Sequence, residues 1–149
     1  MPVQQQLEIA VQLVIAMILS MLVGIERERR DKDAGLRTHM LVGVGACLFT
    51  ALSLVAFPRS ETARVAANVV TGVGFLGAGV IWRGEDGVHD LTTAASIWVT
   101  AALGMTVGVG APVLAIIVTV ICWFILRILR HFRDFLSPSE TPNAEENAT

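Results

Sequence analysis

Five apolar runs alternate with short polar stretches along the 149-residue chain. They cover about residues 7–25, 40–57, 65–82, 91–109 and 113–129. Each run is close to the ~20 residues that a helix needs to cross ~30 Å of hydrocarbon. Because the connections are short, we expect consecutive helices to be antiparallel neighbours. The pattern predicts an all-α integral membrane protein, a bundle of five transmembrane helices.

The third and fourth runs carry small and hydroxyl residues where a lipid-facing helix would carry Leu or Ile. Such residues let two helices approach closely in hydrocarbon, and their hydroxyls can bond across the contact. We therefore predict a tightly packed hairpin in which Gly77 meets Ser96 and Gly72 meets Thr100, each within about one helical turn. The predicted packing positions are Gly72, Gly74, Gly77, Gly79, Ser96 and Thr100. In the alternative, each hydroxyl bonds to the carbonyl one turn back in its own helix.

The third run divides into two sectors on a helix. The bulky sector contains Val69, Val73, Leu76 and Val80, and we expect it to face lipid or a bulky neighbour. The other sector is small and polar, and it includes Asn68. An amide without a partner is costly in hydrocarbon, so Asn68 is a candidate functional residue.

Residues 72–77 also fit the glycine spacing of a dinucleotide-binding loop. That fingerprint requires a strand before it and a helix after it. Here the glycines lie inside one continuous apolar run, so the spacing is interpreted as a packing motif. The sequence predicts no cofactor.

Composition supports a membrane chain. Charged residues make up 16% of the sequence, against about 25% in a typical soluble domain. The formal net charge of −2 argues against a nucleic-acid partner. Cys47 and Cys122 lie inside predicted helices and are expected to be small apolar side chains. No nucleophile–base pair can be identified, so we do not expect an enzyme.

Basic residues are distributed unequally between the two sides of the predicted bundle. Nine lie in the connections after the first and third runs and after the fifth run, and two lie on the opposite side. The positive-inside rule then places the N-terminus outside and the C-terminus in the cytoplasm. The first run has no basic residue before it, so it is expected to remain as a membrane helix rather than a cleaved signal. Residues 137–149 lack apolar periodicity and are predicted to be a disordered cytoplasmic tail.

Polar candidates cluster near the ends of the predicted helices. One hypothesis is an ion pair between Glu26 and Arg37, at the ends of adjacent antiparallel helices, with His39 close by. Glu26 and Arg30 are also correctly spaced to pair along one helix. The alternative is a solvated charged loop that only fixes the topology. The candidate polar residues are Glu26, Arg27, Arg37, Thr38, His39, Asn68, Asp90, Thr92 and Thr93.

Several of these segments resemble the MgtC/SapB family of bacterial inner-membrane proteins. The resemblance covers about residues 8–129, in order. It is carried by residues 24–28 (GIERE), 34–42 (AGLRTHMLV), 45–49 (GACLF), 71–81 (TGVGFLGAGVI), 91–98 (LTTAASIW) and 101–104 (AALG). It implies a five-helix domain in the inner membrane and a role in adaptation to low magnesium and intracellular stress, including virulence. It also implies action on membrane partners such as the ATP synthase. Many relatives continue into a folded cytoplasmic domain, where this chain has only a short tail.

Two classes of function remain from the sequence. The first is a regulatory or interaction protein that binds a membrane partner, or a second copy of itself, through small-residue helix faces. The second is a transporter or channel for magnesium or another small ion or solute, formed by an oligomer. The abundance of contact surface and the scarcity of reactive groups favour the first class.

Overall fold

The computed structural model describes residues 1–56, 62–85 and 87–136, with side chains up to residue 128 except that of residue 62. It contains five helices, as predicted. They are α1 (Val3–Glu28), α2 (Leu36–Ala56), α3 (Thr62–Val80), α4 (Leu91–Gly108) and α5 (Pro112–Leu136). The predicted tail, 137–149, lies outside the described residues. The helix ends differ from the predicted ones by a few residues, most at the C-terminal end of α5, where amphipathic residues extend the helix past 129.

The first four helices are long and apolar enough to cross a membrane. In α5 the corresponding apolar stretch is shorter, Pro112–Ile128. A helix of this length still spans about 26 Å at ~1.5 Å per residue. The five-helix membrane architecture predicted from the apolar runs is therefore confirmed.

A small β-hairpin connects α3 to α4, where the sequence predicted a plain loop. Strand β1 (Trp82–Gly84) pairs antiparallel with β2 (Gly87–His89). The rings of Trp82 and His89 lie opposite one another and stack, with 4.1 Å between their centroids. Gly87 has a φ of 136°, which a residue with a side chain rarely adopts. The hairpin was missed because each strand is only three residues long.

Helix α4 lies at the centre of the bundle, with α1 and α2 on one side and α3 on another. Of the membrane-spanning part of α4, 56% is buried within the chain, against 11% of that of α3. One apolar cluster joins α1, α2, α4 and α5 through residues that include Val23, Cys47, Leu103 and Ala115. The outer surface of α5 carries large exposed apolar side chains, so α5 is peripheral.

Glycines bring the backbones of α2 and α4 into contact. A side chain at Gly104 would overlap the carbonyl oxygen of Gly43, and a Cβ at Gly108 would lie 2.7 Å from the carbonyl oxygen of Cys47. A side chain at Gly43 would overlap the Ser20 hydroxyl of α1. Gly43 and Cys47 lie one turn apart on the same face of α2. The closest helix contact is therefore α2 with α4, and α1 adds to it at Gly43.

The predicted glycine packing of α3 against α4 is mostly wrong. It holds at Gly77, where a Cβ would lie 3.6 Å from the carbonyl oxygen of Ala94, within one turn of Ser96 and at ordinary contact distance. At Gly72, Gly74 and Gly79 a Cβ would meet no atom within 4 Å, among the residues described. Thr100 lies beside Gly43 of α2 and not beside Gly72.

The orientation of α3 explains this error. Val73 is buried in a cluster with Ile97 and Ala101 of α4, and Val69 and Val80 pack against that cluster. The hydroxyl face of α4 is already occupied by α1 and α2, which leaves an apolar face for α3. The bulky sector of α3 therefore faces the bundle, and its small, polar sector faces outward, the reverse of the predicted arrangement.

We predict opposite effects for two glycine substitutions in detergent-solubilised protein. Gly104→Ala should lower the free energy of unfolding by about 1–3 kcal/mol, because the new methyl group forces α2 and α4 apart. Gly74→Ala should leave it unchanged or raise it by up to about 1 kcal/mol, because the methyl group has free space and Ala favours a helix. Unfolding followed by tryptophan fluorescence measures both, and equal losses for the two variants would contradict this packing.

Candidate functional site

Polar side chains converge where α1 ends and where α2 and α4 begin. We call this group the polar cluster, and it comprises Glu26, Arg27, Arg30, Lys32, His39, Asp90, Thr93 and Ser96. Arg27 is only 4% exposed, and His39 and Thr93 are fully buried. Buried charges are retained only when partners compensate for the loss of water. The contacts of these side chains therefore determine what the cluster can do.

A hydrogen-bonded chain links α1 to α4. Nη2 of Arg27 donates to Oγ1 of Thr93 across 2.7 Å. The Thr93 hydroxyl in turn donates to Oδ1 of Asp90, 2.8 Å away. Each hydroxyl has one proton to give and lone pairs to accept with, so Thr93 uses both capacities. Arg27, Thr93 and Asp90 were all candidates from the sequence, and the structure brings them together.

Asp90 also binds Lys32, from the segment between α1 and α2. Nζ of Lys32 lies 3.2 Å from Oδ1 of Asp90. The hydrogen bond from Thr93, and after it the contact with Lys32, holds the pKa of the Asp90 carboxyl below its ordinary value. A lowered carboxyl pKa means that this group adds stability above its unfolded pKa and loses it as the pH falls through the folded pKa. The contact is therefore fully present at neutral pH.

Asp90 occupies this position through an uncommon backbone conformation. Its φ is 60°, in the left-handed region, which Asp tolerates better than most residues with a side chain. Asp90 precedes α4, and its carbonyl oxygen accepts the first helical hydrogen bond, from Ala94. Its carboxylate does not cap the helix N–H groups. It is turned instead toward Thr93 and Lys32.

His39 links α2 to α4. Its Nδ1 lies 2.8 Å from the Gly35 carbonyl oxygen, and its Nε2 lies 3.0 Å from Oγ of Ser96. A carbonyl oxygen can only accept, so Nδ1 carries a proton and donates it. A neutral ring then leaves Nε2 to accept from Ser96. The Ser96 hydroxyl also lies 2.8 Å from the Thr93 carbonyl oxygen, so two acceptors compete for its proton.

The alternative of a bond within one helix also occurs. Thr100 donates to the carbonyl oxygen of Ser96, one turn back in α4. It makes no hydrogen bond to the described side chains of α3, contrary to the predicted hairpin. Ser96 bonds within its own helix and also contacts α2 through His39. Of the hydroxyls of α4, those of Thr93 and Ser96 therefore contact α1 and α2.

Glu26 is 7% exposed and lies between two arginines. It pairs with Arg30, one turn further along the chain, as the spacing predicted. Nη1 of Arg27 lies 3.7 Å from Oε2 of Glu26. The predicted pair of Glu26 with Arg37 is wrong, since the Glu26 carboxylate contacts Arg27 and Arg30 and Arg37 is exposed. Arg30 lies one turn from Glu26 on the same helix, so this pair forms without any alignment between two helices.

The neighbouring acid, Glu28, holds the start of α2. Its Oε2 accepts a hydrogen bond from the backbone N–H of Leu36, 2.7 Å away. A side chain at Gly35 would overlap this carboxylate. The close approach of Glu28 therefore explains why position 35 is a glycine. The glycine lets Glu28 reach the first free N–H of the helix.

The remaining candidates lie outside the polar cluster. Thr92 is exposed and Thr38 is partly exposed. Asn68 lies on the outward side of α3, in the half of the bundle away from the cluster. Lys32 was not among the predicted site residues; its spacing suggested a pair with Glu28 along one helix, whereas it contacts Asp90. Gly104 and Gly108 were also absent from the predicted packing positions, although both continue the i, i+4 stripe that begins with Ser96 and Thr100.

The polar cluster is arranged to fasten three helices together. Its cations lie within ion-pair distance of its anions, and its hydroxyls are used in the links between helices. Nε of Arg27 and the Glu26 carboxylate oxygens have no hydrogen-bond partner in the described part of the chain. Among the described side chains, those of residues 1–56, 63–85 and 87–128, there is no group of three or more His, Cys, Asp or Glu that could hold a metal ion. The geometry supports a structural lock at one end of the bundle.

We predict that the Thr93 hydroxyl is worth far more than that of Thr100, although both residues are fully buried in α4. Thr93→Val should cost about 1–3 kcal/mol of unfolding free energy, because Arg27 and Asp90 each lose a buried partner. Thr100→Val should cost under about 1 kcal/mol, because the Ser96 carbonyl keeps its helical hydrogen bond. Equal losses in denaturant unfolding would remove the proposed link.

Comparison with known proteins agrees with the resemblance seen in the sequence. Residues 13–135 match the sequence profile of the MgtC family. YhiD of Escherichia coli strain K12, provisionally named a magnesium transporter, is 43% identical over 129 residues. That alignment covers 81% of this chain and 60% of YhiD.

Two proteins named MgtC are similarly related. MgtC of Salmonella typhimurium strain LT2 is 45% identical over 109 residues, which cover 73% of this chain and 47% of that protein. MgtC of Brucella abortus is 43% identical over 115 residues, covering 77% and 48%. The chain thus spans between about half and 60% of the length of these relatives. No solved structure matches it. With the profile covering most of its length and five helices arranged as described, the chain belongs to the MgtC family of membrane proteins.

Proposed function

We propose that this chain is a regulatory protein of magnesium homeostasis that acts by binding other membrane proteins through α3. The names of its relatives associate the family with magnesium. The proposed setting is the bacterial inner membrane, with the N-terminus outside and the polar cluster and C-terminus on the cytoplasmic side. The ATP synthase is one membrane partner that the family resemblance suggests. The proposal includes neither nucleic acid nor catalysis.

The exposed small-residue surface of α3 carries this proposal. Gly72 and Gly79 lie on one side of this outward surface and Gly74 lies on the other, about 160° around the helix, and each has space for a neighbouring backbone. Lipid contact favours large apolar side chains, whereas contact between membrane helices favours small ones. Helix α3 is therefore built like an interface helix, although only 11% of its membrane-spanning part is buried within the chain. Such a surface fits a helix of a protein partner better than it fits lipid.

A transporter is the second candidate, and buried polar atoms favour it. The hydroxyl oxygens of Ser20 and Thr50 have no hydrogen-bond partner in the described part of the chain. Water or a hydrated ion inside the bundle would supply one. Against a path through one copy, Ser20 lies directly against Gly43, and the α2–α4 glycine contacts close the interior. A transport path would therefore require an oligomer.

We predict that Gly74→Leu abolishes the growth benefit of this protein under magnesium limitation. The strain lacks its own copy and carries the variant at wild-type membrane abundance. The added side chain blocks a partner helix, and it meets no atom of its own chain within 4 Å of the new Cβ. Ala10→Leu, on the exposed side of α1, is the matched control and should grow normally. Growth of the Gly74→Leu strain at the control rate would contradict the proposal.

Flux measurement separates the two candidate functions. Liposomes that contain only the purified full chain and an internal magnesium-sensitive dye should take up magnesium no faster than protein-free liposomes. A regulator that acts through a partner has no activity in the absence of that partner. Uptake above the protein-free rate, lost in Ser20→Ala, would favour transport instead.

A further inference from the structure

A groove of about 570 Å³ runs between α2 and α3 on the outer surface of the bundle. Gly45 and Phe49 lie on its α2 wall, and Asn68, Gly72 and Leu76 lie on its α3 wall. These α3 positions follow the spacing of one helical face. The groove extends over about three turns of α3, or roughly 16 Å from Val65 to Leu76 at ~1.5 Å per residue. The groove is long enough for a helix to bind along it.

Asn68 is the one polar side chain among the residues that line this groove. It lies six residues into α3, or about 9 Å along the helix axis. Its amide makes no side-chain hydrogen bond within the described ranges of the chain. In hydrocarbon, an unsatisfied amide costs free energy, and an acyl chain has no group that can bond to it. The occupant must therefore offer both a donor and an acceptor at this depth.

We propose that the occupant is a second copy of this chain. The two α3 helices lie side by side about a two-fold axis normal to the membrane, and the two Asn68 amides hydrogen-bond to each other. The proposal rests on the proposed role of α3 as the interaction helix, and it names one partner for that helix.

The membrane itself supports a second copy over other occupants. Two copies of one protein are inserted in the same orientation, so Asn68 of one lies at the same depth as Asn68 of the other. A two-fold contact brings identical surfaces together, so a group on the axis must be able to bond to its own copy in the other chain. An amide has an NH₂ donor and a carbonyl acceptor, and it meets this condition. An asparagine at the seam of parallel helices also fixes their register.

The neighbours of Asn68 fit a helix pair. Gly72, one turn further on, leaves space for the second backbone to approach. Phe75 is seven residues after Asn68, so it lies on almost the same face, and it is 80% exposed. Such a side chain can insert into the groove of the second copy beside Gly45. The contact then has an aromatic anchor on each side of a central polar pair.

Disulfide crosslinking in native membranes tests this arrangement. In full-length chain with Cys47 and Cys122 changed to Ala, Gly72→Cys keeps Asn68 and places a thiol beside the proposed axis. Oxidation should give a disulfide-linked species of twice the monomer mass. Ile117→Cys, at a similar depth on the exposed side of α5, is the control and should remain monomeric. Equal crosslinking at both positions, or adducts of Gly72→Cys with other proteins only, would overturn the proposal.

Removal of the amide tests the role of Asn68 itself. Asn68→Leu should weaken dimerisation in vesicles by on the order of 10-fold, measured by energy transfer between labelled copies. Thr71→Val is the matched control, because the Thr71 hydroxyl already donates to the Ala67 carbonyl oxygen, 3.0 Å away. Its dimerisation should change by less than about 2-fold. A wild-type chain that stays monomeric, or Asn68→Leu that dimerises like the wild type, would contradict the pairing.

These outcomes can be separated from failure of the regulatory proposal. If the chain is monomeric but Gly74→Leu still abolishes growth under magnesium limitation, α3 binds a different protein and the dimer is wrong. If the dimer forms but Gly74→Leu grows normally, the pairing stands and the regulatory proposal fails. Asn68 and Gly74 lie on different sides of α3, so the two variants report on different surfaces.

Discussion

Backbone contact between α2 and α4 sets the position of every other helix. Gly104 lies against the Gly43 carbonyl, and Gly108 lies against that of Cys47, so neither helix can rotate without a clash. This contact fixes which face of α4 meets α2, and the hydroxyl stripe of α4 follows from it. Thr93 and Ser96 then meet Arg27 and His39 at one end of the bundle. The face of α4 that remains is apolar, and α3 meets it with valines.

The polar cluster and the glycine contact stabilise the same three helices by different means. Glycines allow close van der Waals packing along the length of α2 and α4, which drives helix association in a membrane. The cluster adds directional hydrogen bonds at one end, where Arg27 and Asp90 share the Thr93 hydroxyl. Lys32 extends this connection to the segment between α1 and α2. A rigid three-helix unit results, and α3 and α5 lie at its edges.

Helix number, approximate helix bounds and the membrane class could all be predicted from the sequence, because apolar run length reports directly on membrane crossing. The Glu26–Arg30 pair was also predictable, because both residues lie on one helix. Pairings between helices were harder. The small sector of α3 was predicted to face α4 because small residues indicate close helix contact. Composition does not tell whether the contacting helix belongs to the same chain or to another. Thr93 and Arg27 are 66 residues apart in sequence, and no local pattern relates them.

The most direct test of this account is the choice of neighbour for α4 in a bilayer. Solid-state NMR of the full chain, with ¹³C in glycine and threonine, can detect which carbon atoms are close in space. The account predicts a short-range correlation between Gly43 and Gly104 and none between Gly72 and Thr100. A correlation between Gly72 and Thr100, with none between Gly43 and Gly104, would contradict it.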